Sequence, residues 1–320
     1  MLFFLNSCSL ENINSGNDPS SIKVVQRIYT MNTDGTNIKF IGYDLNRSGF
    51  IAQYSPDGNK IFFGNLNSIN ADGTGLKSLV PSNFLVWDYF ISNDGKKIVF
   101  NTTDELYLIN IDGSSLTKIT GNKGDFYSYV CISPNDSLVA YNIDFSIGVV
   151  NSDGTNKKII LAADSIDSYF NPVFTSDGKN LLCVFQNYNF DYFITDYTLT
   201  TGFRPSVYAG RPANGIEVTP DGFALFSANN IIQKMNLTTY KVVNLTEGYE
   251  ESLSNDRTKI IYTKLNDPQK AIYIYDINTG NISTIKPGFQ WAVIQYPKLS
   301  PNGNQILFEA DSTYVNHNFN

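Results

Sequence analysis

A turn of the form Ser-Pro-Asp-Gly that recurs seven times, a second turn built on Asp-Gly that alternates with it, and a composition rich in Tyr, Phe, Ile and Val predict an all-β chain. The arrangement they predict is a seven-bladed β-propeller of four-stranded blades, its ring closed by half-blades from the two ends of the chain. The 320 residues would suit two ordinary domains, but propellers run long as single units. Hydrophobic residues at 42%, with 22 Phe and 20 Tyr, can fill the core of such a unit.

The first turn appears as Ser55-Pro56-Asp57-Gly58, Ser92-Asn93-Asp94-Gly95, Ser133-Pro134-Asn135-Asp136, Thr175-Ser176-Asp177-Gly178, Thr219-Pro220-Asp221-Gly222, Ser254-Asn255-Asp256-Arg257 and Ser300-Pro301-Asn302-Gly303. Its spacing averages about 41 residues, the period of a four-stranded blade. Pro presets φ at the first corner, Asp or Asn bonds its own backbone, and Gly takes the positive φ. An apolar residue precedes every copy (Tyr54, Ile91, Ile132, Phe174, Val218, Leu253, Leu299), and a short strand such as Lys97-Ile98-Val99-Phe100 follows. These strands are expected to be the inner pair of each blade.

The second turn appears at Asp34-Gly35, Asp72-Gly73, Asp112-Gly113 and Asp153-Gly154, then drifts to Thr201-Gly202, Thr239-Tyr240 and Thr279-Gly280. Asp-Gly between strand-like runs is a strong hairpin signal, and each copy follows a β-rich stretch such as Leu106-Tyr107-Leu108-Ile109. These turns are expected to join the outer pair. The series opens with an outer-pair turn at Asp34 and ends with an inner-pair turn at Asn302, so residues 23–41 should pair with residues 292–310 and close the ring. Six or eight blades stay open if the weak fifth or sixth repeat is miscounted.

Together these turns, with Leu116-Thr117 and Leu245-Thr246 at blade ends, resemble the WD40-like repeats of TolB-like propellers over about residues 23 to 310. The start of the chain carries a second resemblance. Leu5-Asn6-Ser7-Cys8, after the apolar run Leu2-Phe3-Phe4, is similar to the lipobox of bacterial lipoproteins, which implies cleavage before Cys8 and acylation there. The match is partial, because Asn6 is not the usual small residue and no Lys or Arg precedes Lys23. The expected organisation is a partial signal over 1–8, a polar tether over 9–21, the propeller over 22–310 and a polar tail over 311–320. The expected location is the cell envelope, as a periplasmic or outer-membrane lipoprotein touching the membrane only through its lipid.

Composition narrows the chemistry. A net charge of −7 with no local Lys/Arg cluster argues against nucleic acid, and no run of about 18 apolar residues could span a membrane as a helix. The single histidine, His317, lies in the polar tail, which leaves no His-based triad or metal cluster in the body of the chain. No G-x-S-x-G elbow and no P-loop occur. No metal and no cofactor is expected. Cys131 and Cys183 lie in apolar runs and read as small buried residues, although their positions do not decide whether they pair.

Because both hairpin turns of a blade lie on one face, chemistry is expected on the opposite face, among the loops between blades and between strand pairs. The residues singled out there for ligand or partner binding are Trp87, Asp88, Tyr127, Tyr169, Arg211, Glu250 and Trp291. Rings with a few charges at a rigid rim are common to interface hot spots and sugar-stacking surfaces, while packing between blades is the competing role for each ring. Two positions before each inner turn, where a strand should approach the channel, stand Gln53, Phe90, Cys131, Val173, Glu217, Ser252 and Lys298. Glu217 and Lys298 are candidates to pair across it. The leading expectation is a monomeric, non-catalytic binding or scaffold protein whose partner is an envelope protein or a glycan. The alternative is a carbohydrate-active enzyme working with carboxylates alone, such as Glu250 with Asp88 or Glu217.

Overall fold

In the computed structural model, which describes residues 24–43, 52–210, 212, 215–287 and 293–313, the Ser or Thr that opens each inner turn is what makes the seven hairpins alike. Ser55 Oγ accepts a hydrogen bond from Lys60 N (2.9 Å) and donates to Asp57 Oδ1, which in turn accepts from Asn59 N (3.0 Å). The pattern repeats at Ser92, Ser133, Thr175, Ser254 and Ser300. At Thr219 the hydroxyl reaches Phe223 N, one residue nearer (3.1 Å). These hydroxyl groups are buried, and they hold the turn carboxylates in the charged form; Asp94, bonded first by Ser92, is pulled down to about 2.

The outer turns explain their own sequence drift. In the four Asp-Gly copies the closing bond spans four residues, as in Asn32 N to Thr36 O (2.8 Å). In the last three it spans five: Thr198 to Phe203, Asn236 to Lys241 and Asp276 to Asn281. The longer loop needs a left-handed residue in its last corner, supplied by Gly202, Gly280 and, at φ +54°, Tyr240. In two of the longer loops the opening residue does the accepting: Asn236 takes the amides of Thr238 and Thr239, and Asp276 those of Asn278 and Thr279.

Twenty-eight strands, numbered β1 to β28 in chain order, form seven four-stranded antiparallel sheets, with no helix among the described residues. The innermost strands are β3 (Gln53–Tyr54), β7 (Asp88–Ile91), β11 (Tyr127–Ile132), β15 (Ser168–Phe174), β19 (Glu217–Thr219), β23 (Tyr249–Leu253) and β27 (Val293–Leu299). Six sheets run in chain order from this strand outwards. The seventh is shared: β27 pairs with β28 (Gln305–Thr313), β28 with β1 (Val24–Asn32), and β1 with β2 (Lys39–Tyr43). The β1–β28 ladder is nine residues long, from Val24 opposite Thr313 to Asn32 opposite Gln305. The count of seven blades and the closure are therefore as the turns predict.

The core sits between blades rather than at the centre of the ring. Phe62 and Leu66 pack on Ile98 and Phe100 of the next blade, Val99 and Leu106 on Val139 and Tyr141, and the closing blade's Phe308 and Leu307 on Ile272 and Ile61 to either side. Cys131 and Cys183 are buried free thiols in these layers. Polar clasps cross the same interfaces nine residues after three of the turn serines, Ser92, Ser133 and Ser300. Asn101 Nδ2 donates to Tyr127 O (2.7 Å) and Asn142 Nδ2 to Tyr169 O (2.6 Å), while Glu309 Oε1 accepts from Ala52 N (3.4 Å).

Candidate functional site

Each innermost strand starts at the loop face and runs toward its Ser or Thr turn, and in five of the seven blades the residue four before that Ser or Thr has a left-handed backbone. There Tyr129, Asn171, Glu250 and Tyr296 take φ of +45°, +50°, +54° and +50°, and Gly215 takes +109°. The ladders to the second strands skip at these points in β11, β15, β23 and β27. A bulge of this kind turns a strand and re-aims a side chain, and left-handed non-glycine residues cost of order 1 kcal/mol or more each. The channel wall is built from these bulges.

They enclose a cavity of about 240 Å³ toward the loop face. Six of the seven residues placed two before the turns line it: Phe90, Cys131, Val173, Glu217, Ser252 and Lys298. The bulges add Tyr129, Asn171, Glu250, Glu251 and Tyr296, and β7 adds Asp88. Four carboxyl groups thus share one small cavity with one amine.

Most of their oxygens serve the backbone. Asp88 accepts from Tyr89 N (2.9 Å) through Oδ1 and, across the blade interface, from Val130 N (2.9 Å) through Oδ2. Glu250 Oε2 accepts from Thr263 Oγ1 (2.9 Å) and from the bulge amide of Tyr296 (3.2 Å). Glu217 accepts from Ser252 Oγ (3.3 Å) and Leu253 N (3.0 Å). Glu251 differs: its Oε2 is shut off from solvent and meets no partner with hydrogen-bond geometry, although Ser227 stands near enough to favour its charged form.

Burial pushes all four carboxyl groups upward, Asp88, Glu250 and Glu251 each to about 7 despite the amides and hydroxyls that favour the anion. Glu217 is raised by burial and partly held down by Lys298. Lys298 is pushed down by the same burial and held up by Glu217 and Glu309. The two therefore feel each other across the channel, but their charged atoms stay outside ion-pair distance. Among the described residues no group of three His, Cys, Asp or Glu side chains converges as a metal site.

The residues singled out from sequence fall into three groups. Asp88 and Glu250 meet at the cavity. Tyr127 and Tyr169 stand in the layers between blades, buried, with their hydroxyls met by Lys157 and Arg204 from neighbouring outer positions. Trp87 is half-buried against the Phe100 layer and its Nε1 donates to Thr103 Oγ1 (2.9 Å). Arg211, Trp291 and Cys8 lie outside the described residues. The loop face exposes large apolar side chains, among them Leu85, Phe126, Tyr129, Phe145, Tyr188 and Phe190, the last two more than 60% exposed, and of these Tyr129 lines the cavity. Tyr129, Asn171 and Tyr296, the other bulge residues on the cavity wall, are the part that spacing alone missed.

Seven four-stranded blades around a lined channel define a β-propeller. The fold is shared with a protein assigned as TolB from Agrobacterium tumefaciens, at 16% identity and a TM-score of 0.54, over 91% of this chain and 99% of that one. It is shared equally with the β-propeller domain of Cps50 (Swd1) from Myceliophteria thermophila (12%, 0.56, 83% and 96%) and with hydrazine synthase of Kuenenia stuttgartiensis (14%, 0.58, 79% and 89%). No protein-family model and no curated protein matches the chain. Likeness at this identity establishes the fold and nothing narrower.

Proposed function

We propose that this chain is a TolB-like, non-catalytic binding or scaffold protein of the cell envelope, held at a membrane by a lipid on Cys8, with the loop face of the propeller as its recognition surface. The observation that carries the binding reading is the cavity at the loop face. The hairpin-turn face spends its carboxylates on its own turns, while the loop face gathers four carboxyl groups in that cavity and exposes Phe126, Phe145, Tyr188 and Phe190 on its loops. A concave site with a few convergent polar groups is the usual form of a binding site. The envelope and the anchor are supported by the Leu5-to-Cys8 pattern.

The test pairs Phe126→Asp with Tyr188→Asp, both on exposed loop positions. The expected result is loss of about 2 kcal/mol or more of partner affinity, read by pull-down from envelope extract, with the melting temperature unchanged. Equal capture by wild type and variant removes the loop face. In the same cells, palmitate labelling that persists in Cys8→Ala removes the anchor.

A second reading has its own observation: carboxyl groups shifted to about 7 in one cavity are what acid–base catalysis uses. It would make the chain a carbohydrate-active enzyme. Turnover of any polysaccharide that vanishes in Glu250→Gln would replace the scaffold reading with this one.

A further inference from the structure

We infer that the anchored protein turns its loop face to the bilayer, and that exposed side chains on those loops dock on the lipid headgroup surface. The inference rests on the Cys8 anchor and the loop-face recognition proposed above, and it names the occupant of that face.

The first support is where the chain leaves the ring. β1 starts at Val24, opposite Thr313, and runs to the outer turn at Asp34, so Val24 lies at the loop-face end of the closing blade. Sixteen residue steps separate it from Cys8. A flexible chain of that length spans about 22 Å on average, and a fully extended one about 55 Å. The nine residues of β1 alone cover about 27 Å from one face to the other. A turn face set on the membrane would need the tether drawn back along the whole blade and around its flank, near its full length. A loop face set there leaves the tether slack.

The second support is what the loops present. Leu85, Phe126, Phe145, Ile166, Tyr188 and Phe190 are 48% to 65% exposed at loop-face positions on three successive blades, whereas the loops of the turn face expose Leu76, Leu116 and Phe203. Phe145 stands at φ +65° in the two-residue turn between β12 (Leu138–Ile143) and β13 (Ser146–Asn151). The same place between β20 (Phe223–Ala228) and β21 (Ile231–Asn236) is held by Asn230 at +61°. Asn visits this backbone readily and Phe rarely, yet Phe145, although edge-on to Phe170 at 5.9 Å, stays half exposed. Phe190 repeats the case at +63°. Folding alone would favour Asn or Gly at both tips, so these rings answer to something outside the blade. Separate apolar tips on a rigid frame suit an interface that takes up Phe, Leu and Tyr side chains.

Charge selects the kind of surface. The same loops carry Asp104, Asp144, Asp164, Asp167 and Asp191 against Lys123. Anionic headgroups would repel them, and salt would screen that repulsion. The surface that fits is therefore zwitterionic.

The experiment couples the full chain through Cys8 to maleimide-bearing lipid in phosphatidylcholine vesicles. Cys131 and Cys183 are buried, their thiols pushed up to about 12 by burial, so they stay out of the coupling. A Trp replaces Phe190 on the loop face or Phe203 on the turn face, and its quenching by doxyl-labelled lipid is read as the excess over wild type. The expected excess at position 190 is at least about threefold that at 203, and falls at least about twofold when Phe126→Asp and Phe145→Asn are added. Phe145→Asn should fold at least as well as wild type, since it relieves the left-handed Phe. Vesicles rich in phosphatidylglycerol should give weaker quenching at low salt, restored at high salt. Equal quenching of the two probes, quenching that the added substitutions leave unchanged, or stronger quenching on the anionic vesicles overturns the inference. The coupling imposes the attachment, so the result is independent of whether cells acylate Cys8. Capture of a protein from detergent-solubilised envelope that Phe126→Asp abolishes, with no excess quenching at position 190, would leave the loop-face reading standing and sink the membrane contact.

Discussion

A chain that ends at Asn304, and so lacks β28, will give neither a cooperative urea transition nor a monomer. The strand is paired on both edges, nine residues deep against β1 and also along β27. Its Ile306, Leu307 and Phe308 are wholly buried and belong to two different blade interfaces. Losing side chains of this size costs about 2 to 5 kcal/mol each, and the sum approaches the whole stability of an ordinary domain, about 5 to 15 kcal/mol. The deletion also leaves β1 and β27 with bare ladder edges, which invite pairing between chains. Size-exclusion chromatography should show oligomers. Ile282→Ala on an outer strand, where the side chain is 46% exposed, should by contrast shift stability by less than about 0.5 kcal/mol. A monomeric truncated chain with a sharp transition would mean that the ring does not need its latch.

What could be read from sequence follows from where each determinant lies. The Ser turns are legible because every participant sits within five residues of the others, from Ser55 to Lys60. The channel positions are legible because a strand of period two, counted back from a fixed turn, must aim alternate residues inward. The bulges at Tyr129, Glu250 and Tyr296 are not legible, since Tyr and Glu do not ask for a left-handed backbone; only Asn171 and Gly215 hint at it. What stabilises them is an acceptor from elsewhere in the ring: Asp88 for Val130, Asn142 for Asn171 and Glu250 for Tyr296. The loops hold Tyr127 and Tyr169 at the same distance from their turns, but Asp125, Lys157 and Arg204 decide where the rings and hydroxyls lie. Lys157 and Arg204 come from the outer loops of the same blades, 30 and 35 residues on, and can be found only once each blade is assembled.

The same channel carboxylates should make the protein more stable in mild acid than in mild base. Asp88, Glu250 and Glu251 ionise near 7 in the folded chain, against about 3.8 to 4.5 when exposed. A folded pKa above the unfolded one means that the native state holds more protons between those two values, so stability falls as pH rises from about 4 through about 7. At about 1.4 kcal/mol per pKa unit, each group has a ceiling of about 3 to 4 kcal/mol. The three are not additive, because Glu251 feels both Glu250 and Glu217. The turn aspartates act in the opposite sense. Asp57, Asp94 and Asp177, held low by turn hydroxyls and amides, contribute stability above the ordinary carboxylate range that is lost as pH falls through their folded values. The two trends place the maximum near pH 4 to 5. Urea midpoints measured at about pH 5 and pH 8 should therefore differ by the equivalent of several kcal/mol in favour of pH 5. Glu251→Gln should flatten that slope and raise stability at the higher pH, whereas Asp88→Asn would set an amide donor against Tyr89 N or Val130 N and lose stability at both. A midpoint that is level between the two, or higher at pH 8, would show that water or an ion reaches these carboxyl groups and relieves the burial on which the argument depends.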